Sequence, residues 1–339
     1  MWLLLACDSS SVVTLEDDTG GDDTPTETDA DVDADTDADA DADADTDSDA
    51  DTDADSDVDT GPIEYDCDAL PAEPLEDNEL ADTIRAYHGI AFDGEGSLIG
   101  FNNGSLQKAT YDGTSSLFVP GFGSAQQMDW LADGDLAVAD DAGARVARVS
   151  REGAVTDLAT DMGYVYGVTV GPDGMLYATN DRAVYRVDPA TGAKEVFAQL
   201  PNGHQPHAVG FNLDCSRMYV ATVGVGTLWV VDLVDMTPSG DPRVFLEGVG
   251  NWWQDAVGVD ACDNLYVPEY GTSGLYRVTP DGEITTLYSR RARRYGHGVT
   301  WGDGVGGWRR DAIYLPEPYD SNTVREVVVG VPKGEWDCR

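Results

Sequence analysis

Residues 167–179, GVTVGPDGMLYAT, read as an apolar strand, a Gly/Asp turn and a second apolar strand. Residues 256–267, AVGVDACDNLYV, follow the same plan. Four more copies occupy residues 89–98, 127–136, 208–218 and 298–313. A loop and a hairpin follow each copy, so the repeat has four strands in roughly 40 to 50 residues, which is typical of a propeller blade. The sequence therefore predicts an all-β, six-bladed β-propeller.

The last repeat predicts how this propeller closes. Residues 311–315 and 323–329 supply its second and third strands, and too little chain remains for an outer strand. Residues 79–85, before the first inner strand, resemble the outer strands of the other repeats. Because closure removes exposed sheet edges, we expect residues 79–85 to be the outer strand of blade six.

An acidic segment, residues 8–66, precedes the propeller domain of residues 67–339. The segment contains no Lys or Arg, and every second residue from Asp29 to Asp59 is Asp. Such a run repels itself and buries little apolar surface, which predicts a disordered linker. The alternative is that the run binds divalent cations weakly. The whole chain has 64 acidic and 20 basic residues, which argues against a nucleic-acid partner.

The first seven residues, MWLLLAC, end in LLAC, which resembles a bacterial lipobox. On this interpretation residues 1–7 are a signal remnant, and Cys7 carries a lipid anchor. The protein would then be a monomer attached to a membrane of the bacterial cell envelope, facing the periplasm or the surface. The alternative is a chance apolar N-terminus.

Four cysteines remain in the propeller. Cys215 and Cys262 occupy the same turn of adjacent repeats, and Cys67 and Cys338 bracket the domain. We therefore expect the disulfides Cys215–Cys262 and Cys67–Cys338, formed in an oxidising compartment. Four free thiols are the alternative.

The repeats also align two sets of polar residues at one end of the central channel. The residues that begin the inner strands are His88, Gln126, Tyr166, His207, Asp255 and His297. Those that end the second strands are Asn102, Asp140, Asn180, Thr222, Glu269 and Glu317.

Three of the chain's four histidines fall in the first set. Neutral imidazole and carboxylate are ligands for zinc and manganese, and carboxylate with amide suits calcium. We therefore predict that His88, His207, Asp255 and His297 bind one divalent metal. The metal affinity should fall as the pH drops through the ordinary histidine pKa of ~6.5. The alternative is a water-filled polar channel. The predicted substrate-binding residues are Asn102, Asn180, Tyr166, Trp253, Glu269 and Glu317.

Residues 289–294, SRRARR, form a basic cluster in an acidic domain. Arginine side chains suit carboxylate or phosphate groups, so Arg293 and Arg294 are candidates for attracting an anionic substrate. A solvated loop is the alternative.

The motifs 254–270, QDAVGVDACDNLYVPEY, and 206–211, PHAVGF, resemble the senescence marker protein/gluconolactonase family of six-bladed propellers, and more loosely NHL-repeat and streptogramin-lyase propellers. In that family Glu, Asn and Asp at three inner-strand starts bind a divalent metal. Asp255 matches the Asp, whereas His88 stands at the Glu position and His207 at the Asn position. Asn180 stands where the family often uses an amide to orient substrate.

The resemblance and the site together suggest a metal-dependent hydrolase or lyase for a small oxygen-rich molecule, with Asp255 as general base. A binding module for a sugar, peptide or envelope partner, and a scaffold without chemistry, are the alternatives, because propellers serve all three roles.

The predicted anchor is tested by a Cys7→Ser variant. The full chain should partition into the membrane fraction, and the variant should be released, because the anchor depends on one thiol. Detergent-phase partitioning measures both. A variant that still fractionates entirely with membranes would rule out the anchor.

Overall fold

The computed structural model describes residues 62–338 except 73, 74, 76, 225, 272, 273, 290–297 and 318–322. Cys7 and residues 8–61 of the predicted linker lie outside this part of the chain. The described residues form 25 strands and no helix. Accordingly, they contain no helical segment that could cross a membrane.

The strands form six antiparallel sheets, as the repeats predict. The chain enters with β1, Asp77–Glu79. Blade one contains β2 Ile90–Phe92, β3 Ser97–Asn102, β4 Ser105–Thr110 and β5 Ser115–Val119, and blade two contains β6 Met128–Trp130, β7 Leu136–Asp140, β8 Arg145–Val149 and β9 Val155–Ala159. Blade three contains β10 Val165–Val170, β11 Leu176–Asn180, β12 Ala183–Val187 and β13 Lys194–Gln199.

Blade four contains β14 Gln205–Phe211, β15 Arg217–Val223, β16 Thr227–Val234, the short β17 Thr237–Pro238 and β18 Arg243–Glu247. Blade five contains β19 Gly258–Val259, β20 Leu265–Glu269, β21 Gly274–Val278 and β22 Ile284–Ser289. Blade six contains β23 Thr300–Trp301, β24 Ala312–Pro316 and β25 Val324–Val328, with β1 as its fourth strand.

The second strand of each blade carries most of the core. β7, β11, β20 and β24 are buried at every residue, because neighbouring blades cover both faces of a blade. This explains why these strands read as continuous apolar runs without alternation. The core clusters join adjacent blades: the ring of Tyr177 in blade three lies 4.8 Å from that of Phe211 in blade four.

Ring closure by the N-terminal segment is confirmed, with shifted bounds. β1 pairs antiparallel with β25 through Asp77, Asn78 and Glu79, so the outer strand is residues 77–79 and not 79–85. The chain must next cross from the outer rim of blade six to the inner strand of blade one. Leu80 and Ile84 are therefore buried in the core on this crossing instead of lying in the outer strand.

The side chain of Arg325 holds the closing strand. It is 3% exposed and lies on β25. Its Nη1 donates to Asp77 Oδ2 at 2.5 Å and its Nη2 to Glu79 Oε2 at 2.5 Å, both on β1. Its Nε donates to Glu317 Oε1 at 2.6 Å, and the side chain of Glu317 is fully buried. One guanidinium therefore joins three carboxylates from both ends of the chain.

Trp308 seals the contact between blades six and one. It is 1% exposed, and its Nε1 donates to the carbonyl of Gly96 at 2.9 Å. Its ring lies 4.9 Å from that of Phe92 and 5.1 Å from that of Tyr314. This buried indole packs between the first and the last blade.

The described residues contain two disulfides, but the predicted pairing is wrong. Cys67 is bonded to Cys262, and Cys215 to Cys338. Cys215 and Cys262 do lie in the matching turns of blades four and five, at the bottom face opposite the inner-strand starts. Cys67, which precedes the repeats, and Cys338, which follows them, each take one of these two cysteines as a partner. Two structural disulfides indicate an oxidising, extracytoplasmic environment.

The C-terminal strap, residues 331–338, explains the second bond. The amide of Ala261 donates to Pro332 O at 3.0 Å, and that of Gly334 donates to Val259 O at 2.9 Å, both in blade five. The amide of Asp337 then donates to Leu213 O at 2.7 Å in blade four. This path from blade five to blade four brings Cys338 to Cys215.

Replacing Arg325 tests the closure. An Arg325→Gln variant removes the Arg325 guanidinium from the buried carboxylates of Glu317 and Asp77, so the free energy of unfolding should fall by about 3–5 kcal/mol. Chemical denaturation measures it. An Arg243→Gln variant is the control: Arg243 is half exposed and pairs with Asp232 at 2.8 Å, and its loss should cost less than about 1 kcal/mol. Equal losses in the two variants would contradict the assigned role of Arg325.

Candidate functional site

The described residues that were predicted to begin the inner strands all lie within three residues of the first residue of those strands. His88, Gln126, Tyr166, His207 and Asp255 are described and constitute the mouth cluster; His297, Arg293 and Arg294 lie outside the described residues. Adjacent inner strands approach closely here. The amide of Gly89 donates to Gln126 O at 2.6 Å, and a Cβ at position 89 would lie only 2.1 Å from that oxygen. A glycine is therefore required directly after His88.

His207 and Asp255 form the centre of the mouth cluster. The side chain of His207 is 3% exposed and that of Asp255 is fully buried. His207 Nδ1 lies 3.5 Å from Asp255 Oδ1, which brings residues of blades four and five together. The ring of Tyr166, from blade three, lies 4.7 Å from the His207 ring at an interplanar angle of 31°. Two of the four predicted metal ligands are thus in contact range.

Burial shifts the pKa values of His88, His207 and Asp255. Burial lowers the pKa of His88 to about 4 and that of His207 to about 3, and the proximity of His88 contributes to the shift of His207. Burial, and then the neighbouring Glu269 carboxylate, raise the pKa of Asp255 well above its ordinary value. At neutral pH the mouth cluster therefore holds neutral imidazoles beside a carboxyl group whose proton is retained unusually strongly.

Sequence reasoning missed Gln127. Its Nε2 donates to the main-chain carbonyl of Asp255 at 3.0 Å, and thereby connects blade two with blade five across the channel. The corresponding positions of the other blades carry Gly or Ala: Gly89, Gly167, Ala208, Ala256 and Gly298. This single large side chain in a column of small ones was the available signal.

Several second-strand ends hydrogen-bond within their own blades. Asn180 Oδ1 accepts the amides of Arg182 and Ala183, and its Nδ2 donates to Met162 O. Glu269 Oε1 accepts the amides of Trp252, Trp253 and Gly271. Glu317 in turn accepts a hydrogen bond from Arg325. Asn180, Glu269 and Glu317 therefore stabilise the fold, and their role in substrate binding stays a prediction.

Two buried amide oxygens differ from these. Gln126 is 6% exposed and Asn102 is 5% exposed. Gln126 Oε1 and Asn102 Oδ1 have no hydrogen-bond partner among the described residues. Both oxygens are therefore acceptors for a donor that the described protein does not supply.

Aromatic side chains extend the mouth cluster towards solvent. Tyr164 is 62% exposed and stacks on Tyr166 with ring centroids 6.5 Å apart. On the other side of blade four, Trp252 is 52% exposed and lies 5.2 Å from Trp253, whose ring is 5.0 Å from that of Tyr270. Exposed aromatic faces of this kind can stack on a ligand ring.

The described residues do not complete a metal centre. Among them, no three His, Cys, Asp or Glu side chains are grouped so as to hold a metal ion. The predicted fourth ligand, His297, lies in the segment that is not described. The donor chemistry itself fits a divalent cation, because His88 and His207 are neutral at pH 7 and Asp255 supplies a buried carboxyl group.

No protein-family profile matches the chain, and no curated protein matches it by sequence. Solved structures do match. They include a gluconolactonase from Xanthomonas campestris (TM-score 0.65, 16% identity, 80% of this chain and 94% of that one). They also include the calcium-binding protein regucalcin from Agrobacterium tumefaciens (TM-score 0.61, 16% identity, 78% and 97%).

A third match is virginiamycin B lyase from Staphylococcus aureus (TM-score 0.53, 18% identity, 75% of this chain and 98% of that one). At these identities the likeness shows the fold. The chain is a six-bladed propeller similar to gluconolactonase and streptogramin-lyase propellers, as the sequence motifs suggest.

Acid sensitivity of the metal-free protein tests the buried histidine. The pKa of His207 is about 3 in the folded chain, because burial disfavours the charged imidazole, and its ordinary value is 6.5, so the unfolded state binds more protons between these pH values. The contribution of neutral His207 to the free energy of unfolding is therefore complete above pH 6.5 and is lost as the pH falls towards 3. His207→Gln removes this loss.

Between pH 6 and pH 4 the free energy of unfolding of His207→Gln should rise relative to that of the original chain by roughly 1.4 kcal/mol per pH unit. Urea unfolding in the presence of a chelator measures the difference. Tyr164→Phe, on the same rim, is the control and should follow the original pH profile. Parallel curves for His207→Gln and the original chain would contradict the buried neutral imidazole.

Proposed function

We propose that this protein is an extracytoplasmic metal-dependent hydrolase or lyase that acts on a small oxygen-rich molecule of the lactone or sugar-acid type. The observation that supports this most strongly is the contact between His207 and Asp255, 3.5 Å apart and buried at the channel mouth, with pKa values displaced in opposite directions. Displaced pKa values of paired groups in a concave polar site are typical of catalytic centres.

His88, His207, Asp255 and His297 would hold the metal, which would supply Lewis-acid polarisation of a carbonyl or an acidified water. Regucalcin is described as a calcium-binding protein, and this supports a divalent cation in a propeller of this shape. Imidazole nitrogens favour zinc or manganese over calcium.

Asp255 is the proton carrier in this proposal. Because burial raises the pKa of Asp255, its carboxylate is a stronger base than an ordinary carboxylate once the proton is lost, which suits general-base work. Burial keeps His207 neutral, and its ring packs against that of Tyr166. In this position His207 orients the Asp255 carboxyl group. Gln126 Oε1, which has no partner among the described residues, would accept a hydrogen bond from a substrate hydroxyl group. Arg293 and Arg294 would attract an anionic substrate.

The displaced pKa values change the expected pH dependence of metal binding. His88 and His207 are already neutral near pH 6.5, so a change of pH around that value should alter the metal affinity little. The cation must instead displace the proton of Asp255. Affinity should therefore rise with pH through the raised pKa of that carboxyl group.

A second candidate function is binding without chemistry. The exposed faces of Tyr164 and Trp252, on either side of blade four, favour it, because exposed aromatic residues at a concave mouth can stack on sugar rings. On this alternative the partner is a sugar, a peptide or an envelope component. In both cases we propose a monomer, with a membrane as partner through Cys7 and no nucleic-acid partner.

Metal analysis and turnover together test the proposal. Protein purified without chelators should contain about one divalent ion per chain, and a panel of small aldonolactones should be hydrolysed at pH 7. Asp255→Asn resembles the protonated carboxyl group in shape, so the fold should persist while turnover falls by about 10²- to 10⁴-fold. Elemental analysis and a pH-stat assay measure the two quantities.

His207→Ala should lose most of the metal, whereas His204→Ala, outside the mouth cluster and against Trp229, should keep it. Absence of bound metal, of thermal stabilisation by zinc, manganese or calcium, and of turnover would reject the enzyme proposal. Calorimetric binding of sugars that depends on Tyr164 and Trp252 would then establish the second candidate.

A further inference from the structure

A cavity lies at the loop between β23 and β24 of blade six. Its lining includes Pro62 and Ile63, the first two described residues, and from the loop itself Trp308, Arg309 and Arg310. This loop joins an inner strand to a second strand, so the cavity lies on the bottom face, away from the mouth cluster. We call it the entry cavity, because the described chain begins in its wall.

Two hydrogen bonds fix the loop beside the entry cavity. The amide of Arg309 donates to Tyr314 Oη at 2.8 Å, and the side chain of Tyr314 is fully buried. The amide of Gly330 donates to Asp311 O at 2.9 Å. These contacts lie on both sides of Arg310 in the sequence, so its backbone is held in place before any ligand binds.

The two arginines of the loop differ in their partners. Arg309 Nε and Nη2 donate to the two carboxylate oxygens of Asp311, at 2.9 and 2.8 Å. Arg310 is half-buried, and its guanidinium has no hydrogen-bond or ion-pair partner among the described residues. Because a guanidinium binds a carboxylate through parallel N–H donors, Arg310 presents the entry cavity with an unfilled carboxylate site.

The linker brings carboxylates to the edge of this cavity. Residues 55–63 read DSDVDTGPI, and Asp59 precedes Pro62 by three residues. Three residues span at most about 11 Å, so Asp59 cannot move far from the cavity wall. A carboxylate tethered at this distance has an effective concentration on the order of millimolar at the Arg310 guanidinium.

The composition of the linker also changes next to the cavity. Among the residues that alternate with Asp in this run, all are Ala, Thr or Ser except Val32 and Val58. Val58 comes shortly before the entry cavity, whose wall includes the apolar side chains of Ile63 and Trp308. An apolar side chain between two carboxylates therefore matches a cavity that has both an apolar wall and a free cation.

The charge of the chain favours its own linker over a dissolved anion in this cavity. The chain has 64 acidic and 20 basic residues, so a dissolved anion approaches against a negative field. A tethered carboxylate is already within that field and loses less translational freedom on binding. The cavity volume of about 440 Å³ lies in the usual range of ligand pockets and exceeds what one carboxylate group fills.

We propose that residues 57–61 of the linker dock in the entry cavity, with Asp57 or Asp59 on the Arg310 guanidinium and Val58 against the apolar wall. The linker then leaves the propeller from a fixed point on the bottom face, and the mouth cluster on the opposite face is kept clear of it. This proposal depends neither on the proposed enzyme activity nor on the lipid anchor.

Digestion of the full chain with a protease that cleaves before Asp tests the docking, and mass spectrometry of the fragments measures the rate at each bond. Cleavage before Asp57 and Asp59 should be at least about tenfold slower than cleavage before Asp37 and Asp39 of the same molecule, because a docked segment must first be released. Arg310→Gln should remove this difference. Salt at about 0.5 M should reduce it, because salt screens the ion pair.

The matched control is Arg243→Gln, on the outer strand of blade four, which should keep the difference in rate. Arg310→Lys should keep part of it, because Lys retains the charge without the parallel donors. The proposal is overturned if the original chain is cleaved at equal rates at all these bonds. It is also overturned if slow cleavage before Asp57 and Asp59 persists in Arg310→Gln, which would show shielding by the folded domain alone. Protection that grows with protein concentration would assign the cavity to the linker of a second copy, and would overturn docking within one chain.

Discussion

The propeller depends on one strand pairing, that of β1 with β25. Asp77–Glu79 and Val324–Val328 come from opposite ends of the domain, and Arg325 joins them through three carboxylates. The candidate site depends on this pairing because its residues are distributed around the ring. His88 lies in blade one, and His207 and Asp255 lie in blades four and five. They face a common channel only when the first and the last blade are in contact.

Much of the architecture was predictable because the repeats align with one another. Equivalent strands of equivalent repeats must occupy equivalent places in a closed ring, so the blade number and the N-terminal closing strand followed. The proximity of His207 and Asp255 agrees with the aligned column to which both belong. The bounds of the closing strand did not. Leu80 and Ile84 have the apolar character of strand residues, but they serve the crossing to blade one, and composition cannot distinguish these two roles.

The repeats could not predict contacts that break the repeat. Cys215 and Cys262 do occupy equivalent turns, but their partners come from the terminal segments, which belong to no repeat. At the channel, equivalence placed two polar columns at one end but could not separate their tasks. Asn180 and Glu269 largely cap local turns, whereas His207 and Asp255 are desolvated against each other. Hydrogen-bond partners distinguish these cases, and a sequence does not contain them.

The connectivity of the disulfides has a consequence for biogenesis. The four cysteines are synthesised in the order Cys67, Cys215, Cys262, Cys338, and each bond joins alternate members of that order. When Cys215 emerges, Cys67 is the thiol already present in the nascent domain, and their pairing would be wrong. The correct partner of Cys67 appears 195 residues after it. If thiols are oxidised as the chain emerges, a Cys67–Cys215 mispaired intermediate is therefore favoured. Formation of the native Cys67–Cys262 and Cys215–Cys338 bonds should then require thiol–disulfide exchange by an isomerase.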